Sequence, residues 1–132
     1  MDPIQPEPHV ALIGEDDPAV RELAGALLEE TELDVVEVDS GDAALAYLQV
    51  HGGEVAMMFA DIRLPGEIDG VQLAKAACTL WPTIRIVLTS SDPRALSEVL
   101  PDCVTFMSKP WRGFDVLEQA EKAVHRPLPP VT

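Results

Sequence analysis

Positive charge is scarce in this chain. Nine Lys and Arg stand against 23 Asp and Glu, giving a formal net charge of −14 over 132 residues. Proteins that grip DNA, RNA or anionic membranes draw most of their affinity from cationic patches, so the composition argues against those partners. Aromatic residues are sparse too, at 5%, which weakens any stacking role on nucleobases. There are only two cysteines, Cys78 and Cys103, far apart and without metal-ligand spacing. They read as two small buried hydrophobes in a reducing cytoplasm. No apolar run approaches the length needed to span a bilayer. The opening "MDPIQPEPH" has neither the basic nor the apolar region of a signal peptide, so the expected location is cytoplasmic.

What is present is an ordinary apolar content, 47%, in a chain long enough to bury a core without metal or disulfide staples. Proline-rich ends at 1–8 and 126–132 read as tails, leaving 9–125 as one domain. Within it, two kinds of segment alternate. "VALIG" (10–14), "DVVEV" (34–38), "VAMMFA" (55–60), "IRIVL" (84–88) and "CVTFM" (103–107) are short and rich in apolar or β-branched residues. Most are continuously apolar, as suits parallel strands covered on both faces.

Helical patterns lie between them. In "DDPAVRELAGALLEE", Asp17 can cap, Pro18 suits the first turn, and Val20, Leu23, Ala24, Leu27 and Leu28 form an apolar stripe. "SGDAALAYLQVHGG" has Ser40 as its cap and Gly52-Gly53 as its stop; "DGVQLAKAACTLWP" starts at a capping Asp69. "DPRALSEVLP" predicts a short fourth helix and "GFDVLEQAEKAV" a last one. Five strands alternating with five helices predict an α/β fold: a doubly wound five-stranded parallel sheet with right-handed crossovers.

Such sheets gather ligands outside the carboxyl ends of their strands. Those ends carry Glu15, Asp16 and Asp17; then Asp61; then Thr89 and Ser90; then Ser108, Lys109 and Pro110. Crowded carboxylates repel unless a cation intervenes, and hard oxygen donors suit Mg²⁺. An aspartate can itself accept a phosphoryl group, for which a lysine and a hydroxyl supply neutralisation and a hydrogen bond. Asp17 reads as a helix cap, and His9, His51 and His125 as surface residues outside any nucleophilic pairing.

The segments "ALIGEDDPAVREL", "MMFADIRLPGEIDGVQLA", "IVLTSSD" and "FMSKPW" occur in the order and near the spacing of response-regulator receiver domains of two-component signalling. Over 9–125 the chain resembles that family, in its stand-alone, single-domain form. The resemblance implies a flavodoxin-like sheet of order 2-1-3-4-5. It makes Asp61 the phosphoacceptor. Mg²⁺ would be held by Glu15, Asp16, Asp61 and the backbone carbonyl of Arg63. Thr89 would be the switch hydroxyl, Phe106 the switch aromatic, and Lys109 the partner of the phosphoryl oxygens, before a commonly cis Pro110. The implied donor is a sensor histidine kinase or a histidine phosphotransfer protein. Output would pass to a downstream protein, with homodimerisation left open, and chemistry would be limited to phosphoryl acceptance and slow self-dephosphorylation. Three details depart from the commonest pattern: Glu15-Asp16 replaces Asp-Asp, Ser90 stands where a small residue, often alanine, follows the switch threonine, and the Thr89–Lys109 interval is slightly short, which predicts a truncated or partly irregular fourth helix.

Two other functions fit parts of this pattern. A small Mg²⁺-dependent phosphatase would also form an aspartyl phosphate, but it would carry D-x-D after the first strand and a cap insertion, neither of which occurs. A receiver-like docking module, independent of phosphorylation, would have no need of Asp16, Asp61, Thr89 and Lys109 together.

Overall fold

Alternation of side chains along a strand sends successive residues to opposite faces, and the central strands here carry apolar residues at successive steps, over 10–13, 55–60 and 86–88. The computed structural model, which describes residues 7–92 and 100–125, places them in one parallel sheet. The elements run β1 (Val10–Gly14), α1 (Pro18–Leu28), β2 (Asp34–Val38), α2 (Gly41–His51), β3 (Val55–Asp61), α3 (Gly70–Leu80), β4 (Arg85–Ser90), β5 (Val104–Ser108) and α4 (Gly113–His125). The strand order is β2-β1-β3-β4-β5, every pairing parallel. This is the doubly wound, flavodoxin-like arrangement. Four α-helices lie among the described residues; the short helix expected at "DPRALSEVLP" falls on 93–99, outside them.

The two faces have separate cores. Leu12, Met58, Ala60, Ile86 and Leu88 pack against Ala44 and Leu48 of α2 and Leu73, Ala74 and Ala77 of α3. Ala11, Ile13, Met57, Phe59 and Val87 pack against Ala24 and Leu28 of α1 and Val116 and Ala120 of α4. Leu12, Met57, Met58 and Leu88 are fully buried, each contributing roughly 2 kcal/mol of transfer free energy. The edge strands β2 and β5 are only partly covered.

Local signals account for the helix starts. Asp17 Oδ1 accepts from the amides of Ala19 at 2.9 Å and Val20 at 3.3 Å, with Pro18 in the first turn. Ser40 accepts from the Ala43 amide, and Asp69 with Gln72 forms a reciprocal capping box. The double-glycine stop is realised as a 3₁₀ turn, Gly52–Glu54, after α2 ends at His51.

Two expectations need correction. Leu23 leaves the α1 stripe and is 56% exposed. The buried face of α1 centres on Ala24, Gly25 and Leu28, and Leu23 lies off it, lining a groove with Pro110 and Trp111. Cys78 and Cys103 are neither separate nor fully buried: both are partly exposed and joined in a disulfide. The topology brings the last turns of α3 against the start of β5, across a sequence separation of 25.

Candidate functional site

Register decides what meets at the carboxyl edge of the sheet. β1 and β3 pair as Val10↔Val55 and then Ala11↔Met57, so Ala56 is an extra residue in β3. Because of that bulge Gly14 pairs with Ala60, and the next residues along, Glu15 and Asp61, stand level. Asp61 pairs in turn with Thr89, and Ser90 with Ser108. The acid, the hydroxyl and the lysine that follows Ser108 therefore lie on one row of strand ends. Asp61, Thr89 and Ser90 belong to the strands themselves. The Ile62 amide donates to the Thr89 carbonyl at 2.8 Å and the Lys109 amide to the Ser90 carbonyl at 3.0 Å, extending the ladder past Asp61.

Lys109 joins the cluster. Its Nζ donates to Asp61 Oδ2 at 2.5 Å and to Glu15 Oε1 at 2.8 Å. Glu15 and Asp61 are buried, at 4% and 8% exposure, and Thr89 at 1%. The other Glu15 oxygen accepts from the Asp17 amide at 3.1 Å, and the other Asp61 oxygen from the Arg63 amide at 2.8 Å. Arg21 Nη1 donates to the Glu15 carbonyl at 2.8 Å. The peptide between Lys109 and Pro110 is cis.

The electrostatics follow from this crowding. Burial pushes the Glu15 carboxyl above its ordinary range, with the Asp61 charge adding to it; the hydrogen bonds from Lys109 and the Asp17 amide oppose the rise without cancelling it. Burial works against the Lys109 ammonium as well, but its bonds to Asp61 and Glu15 prevail and its pKa is raised.

Glu15, Asp16 and Asp61 each bring a carboxylate oxygen within 4.8 Å of the others, with Asp16 exposed at the mouth. All the donors are hard oxygens, and among the described residues a single ammonium, that of Lys109, bridges the two buried carboxylates. That donor set fits Mg²⁺, which takes one or two protein carboxylates and keeps waters.

The loop after β3 shapes the rim. Gly66 has φ +101°, the left-handed region that favours glycine, and a Cβ there would lie 2.7 Å from Asp42 Oδ2. Asp42 accepts from the amides of Ile68 at 3.1 Å and Glu67 at 3.2 Å. The Arg63 guanidinium pairs with Asp92 beyond β4. Asp42 and Asp92 went unread in the sequence because both act over long separations. A surface acid in a first helical turn is an ordinary helix feature. Phe106 stands apart from the acids, half-buried against the α2–α3 face.

The model of the response regulator receiver domain family matches residues 11–121, and the chain belongs to that family. Domains of this family serve two-component signalling, typically bind Mg²⁺ at an acidic pocket, and interact with histidine kinases or phosphotransfer proteins. No curated relative matches. Among solved structures, the chain is similar to a response regulator receiver protein from Sinorhizobium medicae WSM419, at 23% identity and TM-score 0.78, over 91% of this chain and 97% of that one. It is also similar to the receiver domain of the hybrid histidine kinase CckA, at 28% identity and TM-score 0.73, over 87% and 98%. A third is the receiver domain of NtrX from Brucella abortus, at 22% identity and TM-score 0.72, over 88% and 98%. Among the described residues no helix is long and apolar enough to cross a membrane.

Proposed function

We propose that Asp61 accepts a phosphoryl group from a phosphohistidine on a histidine kinase or phosphotransfer protein. The observation that carries this reading is the Lys109 ammonium bridging Asp61 and Glu15 at the level of Thr89. A carboxylate oxygen of Asp61 attacks phosphorus, the phosphorus–nitrogen bond breaks, and the imidazole leaves with its electron pair. Lys109 then donates to the phosphoryl oxygens, and Thr89 offers its hydroxyl from the neighbouring strand end. Glu15, Asp16, Asp61 and the Arg63 carbonyl would hold Mg²⁺, whose charge offsets the negative charge that builds up on transfer. The protein's own part is positioning and charge compensation. Turnover is limited to this acceptance and slow hydrolysis of the acyl phosphate.

An apolar groove adjoins the acids, and Lys109 lines it together with Val20, Leu23, Pro110 and Trp111, in a space of about 310 Å³. Its continuity with Lys109 favours it as the seat of the histidine-bearing partner, whose imidazole must reach Asp61. The acyl phosphate then draws Thr89 and Phe106 toward a second surface conformation, read by another protein as a shift in population.

Incubation with acetyl phosphate and Mg²⁺, followed by intact mass, tests the assignment. The wild type gains one phosphoryl group and Asp61→Asn gains none. A wild type that stays unmodified, or an Asp61→Asn variant that is still modified, overturns the reading.

A further inference from the structure

The Cys78–Cys103 disulfide lies at the end of the sheet opposite the acids. Strand β5 begins at Val104, one residue after Cys103, and leads to Lys109; α3 begins beside Asp61 and reaches Cys78 in its last turns. β5 is also the least supported strand with a site residue beside it. Among the described residues it is an edge strand, paired with β4 and partly exposed along its length. A covalent tie at its start thus holds the element that aims the lysine.

We infer that Cys78 and Cys103 form a reversible redox site, a dithiol that exchanges with low-molecular-weight thiols and disulfides and so locks or frees the start of β5. Three observations support this. The Cα atoms are 6.4 Å apart, inside the span that disulfides bridge without moving backbone. Neither cysteine is fully buried, as access by a small thiol requires. The buried residues of the two apolar cores come from β1, β3, β4 and the flanking helices, and Cys78 only packs against the margin of one of them. The reduced chain is therefore expected to keep its fold, which comparison of the two redox forms checks.

The chemistry balances with a small disulfide as oxidant. One cysteine thiolate attacks the small disulfide, forming a mixed disulfide and releasing one thiol. The second thiolate attacks the protein-side sulfur of that intermediate and releases the other thiol. Two electrons pass to the small molecule, and the two cysteine protons end on the two released thiols.

The test uses the full chain in a graded series of reduced and oxidised glutathione, trapped with iodoacetamide and read by intact mass. Two populations are expected, one with no alkylated cysteine and one with two, exchanging across the series. In the reduced form, amide hydrogen exchange over 104–108 should be roughly tenfold faster. The thermal midpoint should be lower by roughly 10 °C. A Cys78→Ser/Cys103→Ser variant should match the reduced form at every ratio; should that variant fail to fold, wild type held in excess reductant gives the same comparison. Two alkylated cysteines at every ratio, none at every ratio, or equal exchange over 104–108 in both forms would each overturn the inference. These readouts need neither Mg²⁺ nor a phosphodonor, so they succeed or fail separately from the assignment of Asp61.

Discussion

Gly70 meets Asp61 backbone to backbone. Its amide donates to the Ile62 carbonyl at 2.8 Å. A Cβ at Gly70 would lie 2.7 Å from the Ile62 Cα and closer still to the Asp61 carbonyl oxygen. The first turn of α3 is thus seated on the end of the strand that presents the acid. Gly70→Ala has no flexible neighbour to push aside, so α3 must lift from β3. A loss of about 2 kcal/mol is expected, read as a lower denaturant midpoint with an unchanged slope. Phosphoryl acceptance from acetyl phosphate should slow as well, because the lifted helix releases the loop that carries Arg63.

Lys109 is the cation that Glu15 and Asp61 share. Lys109→Ala leaves two buried carboxylates facing one another. Without Mg²⁺ the variant should lose about 1–3 kcal/mol of stability, and added Mg²⁺ should restore more stability to it than to the wild type, since the metal replaces the missing charge. Phosphorylation is a different matter: with Asp61 as the proposed acceptor, the ammonium would lie where negative charge builds up, and its loss should slow acyl phosphate formation on the order of a hundredfold. A time course of intact mass with acetyl phosphate measures this. Lys109→Arg should recover stability better than rate, because a planar guanidinium carries the charge but not the compact donor geometry.

Much of this arrangement is legible in the chain because the central strands leave little choice. Met57 to Ala60 is apolar at every step, so it must be covered on both faces, and a parallel sheet then sends Asp61 to the same edge as Glu15, Thr89 and Lys109. The caps Asp17, Ser40 and Asp69 are local and readable for the same reason. Contacts that depend on register or on distant pairing are not. The extra residue Ala56 sets Glu15 level with Asp61, yet an alanine in an apolar run carries no mark of a bulge. Cys78 and Cys103 lie in different elements, and only the docking of α3 beside β5 joins them. Leu23 fits an apolar helical stripe by spacing alone, but the face of α1 that is buried centres on Ala24, Gly25 and Leu28 and leaves it outside.

Asp42 clasps the loop beside the site. Its carboxylate accepts from the Glu67 and Ile68 amides, 25 and 26 residues away. Asp42→Ala removes both bonds at an exposed position where water can replace them, so the expected cost is about 1 kcal/mol. The effect on the loop should exceed the effect on the fold. Hydrogen exchange at residues 66–68 should rise several-fold while that of β3 stays unchanged, a contrast that separates loosening of the loop from global destabilisation.

The raised pKa of Glu15 gives the site a pH dependence of definite sign. The unfolded glutamate titrates near 4.5 and the native one higher, chiefly through burial. As pH falls from neutral, the native state takes up its proton first. Glu15 therefore adds stability to the metal-free protein as pH drops through the native pKa, and the gain levels off below about 4.5. Lys109 does not blur this interval. Its pKa is raised from 10.5, so its contribution is fully present below that value and is lost only as pH rises through the higher native pKa. Mg²⁺ needs the ionised carboxylate, so its affinity should move the other way, weakening as pH drops through the same interval. Calorimetric titration of Mg²⁺ at several pH values checks both signs against unfolding curves recorded in chelator. Glu15→Gln should weaken binding at neutral pH and reduce both dependences together, because the Glu15 proton contributes to each.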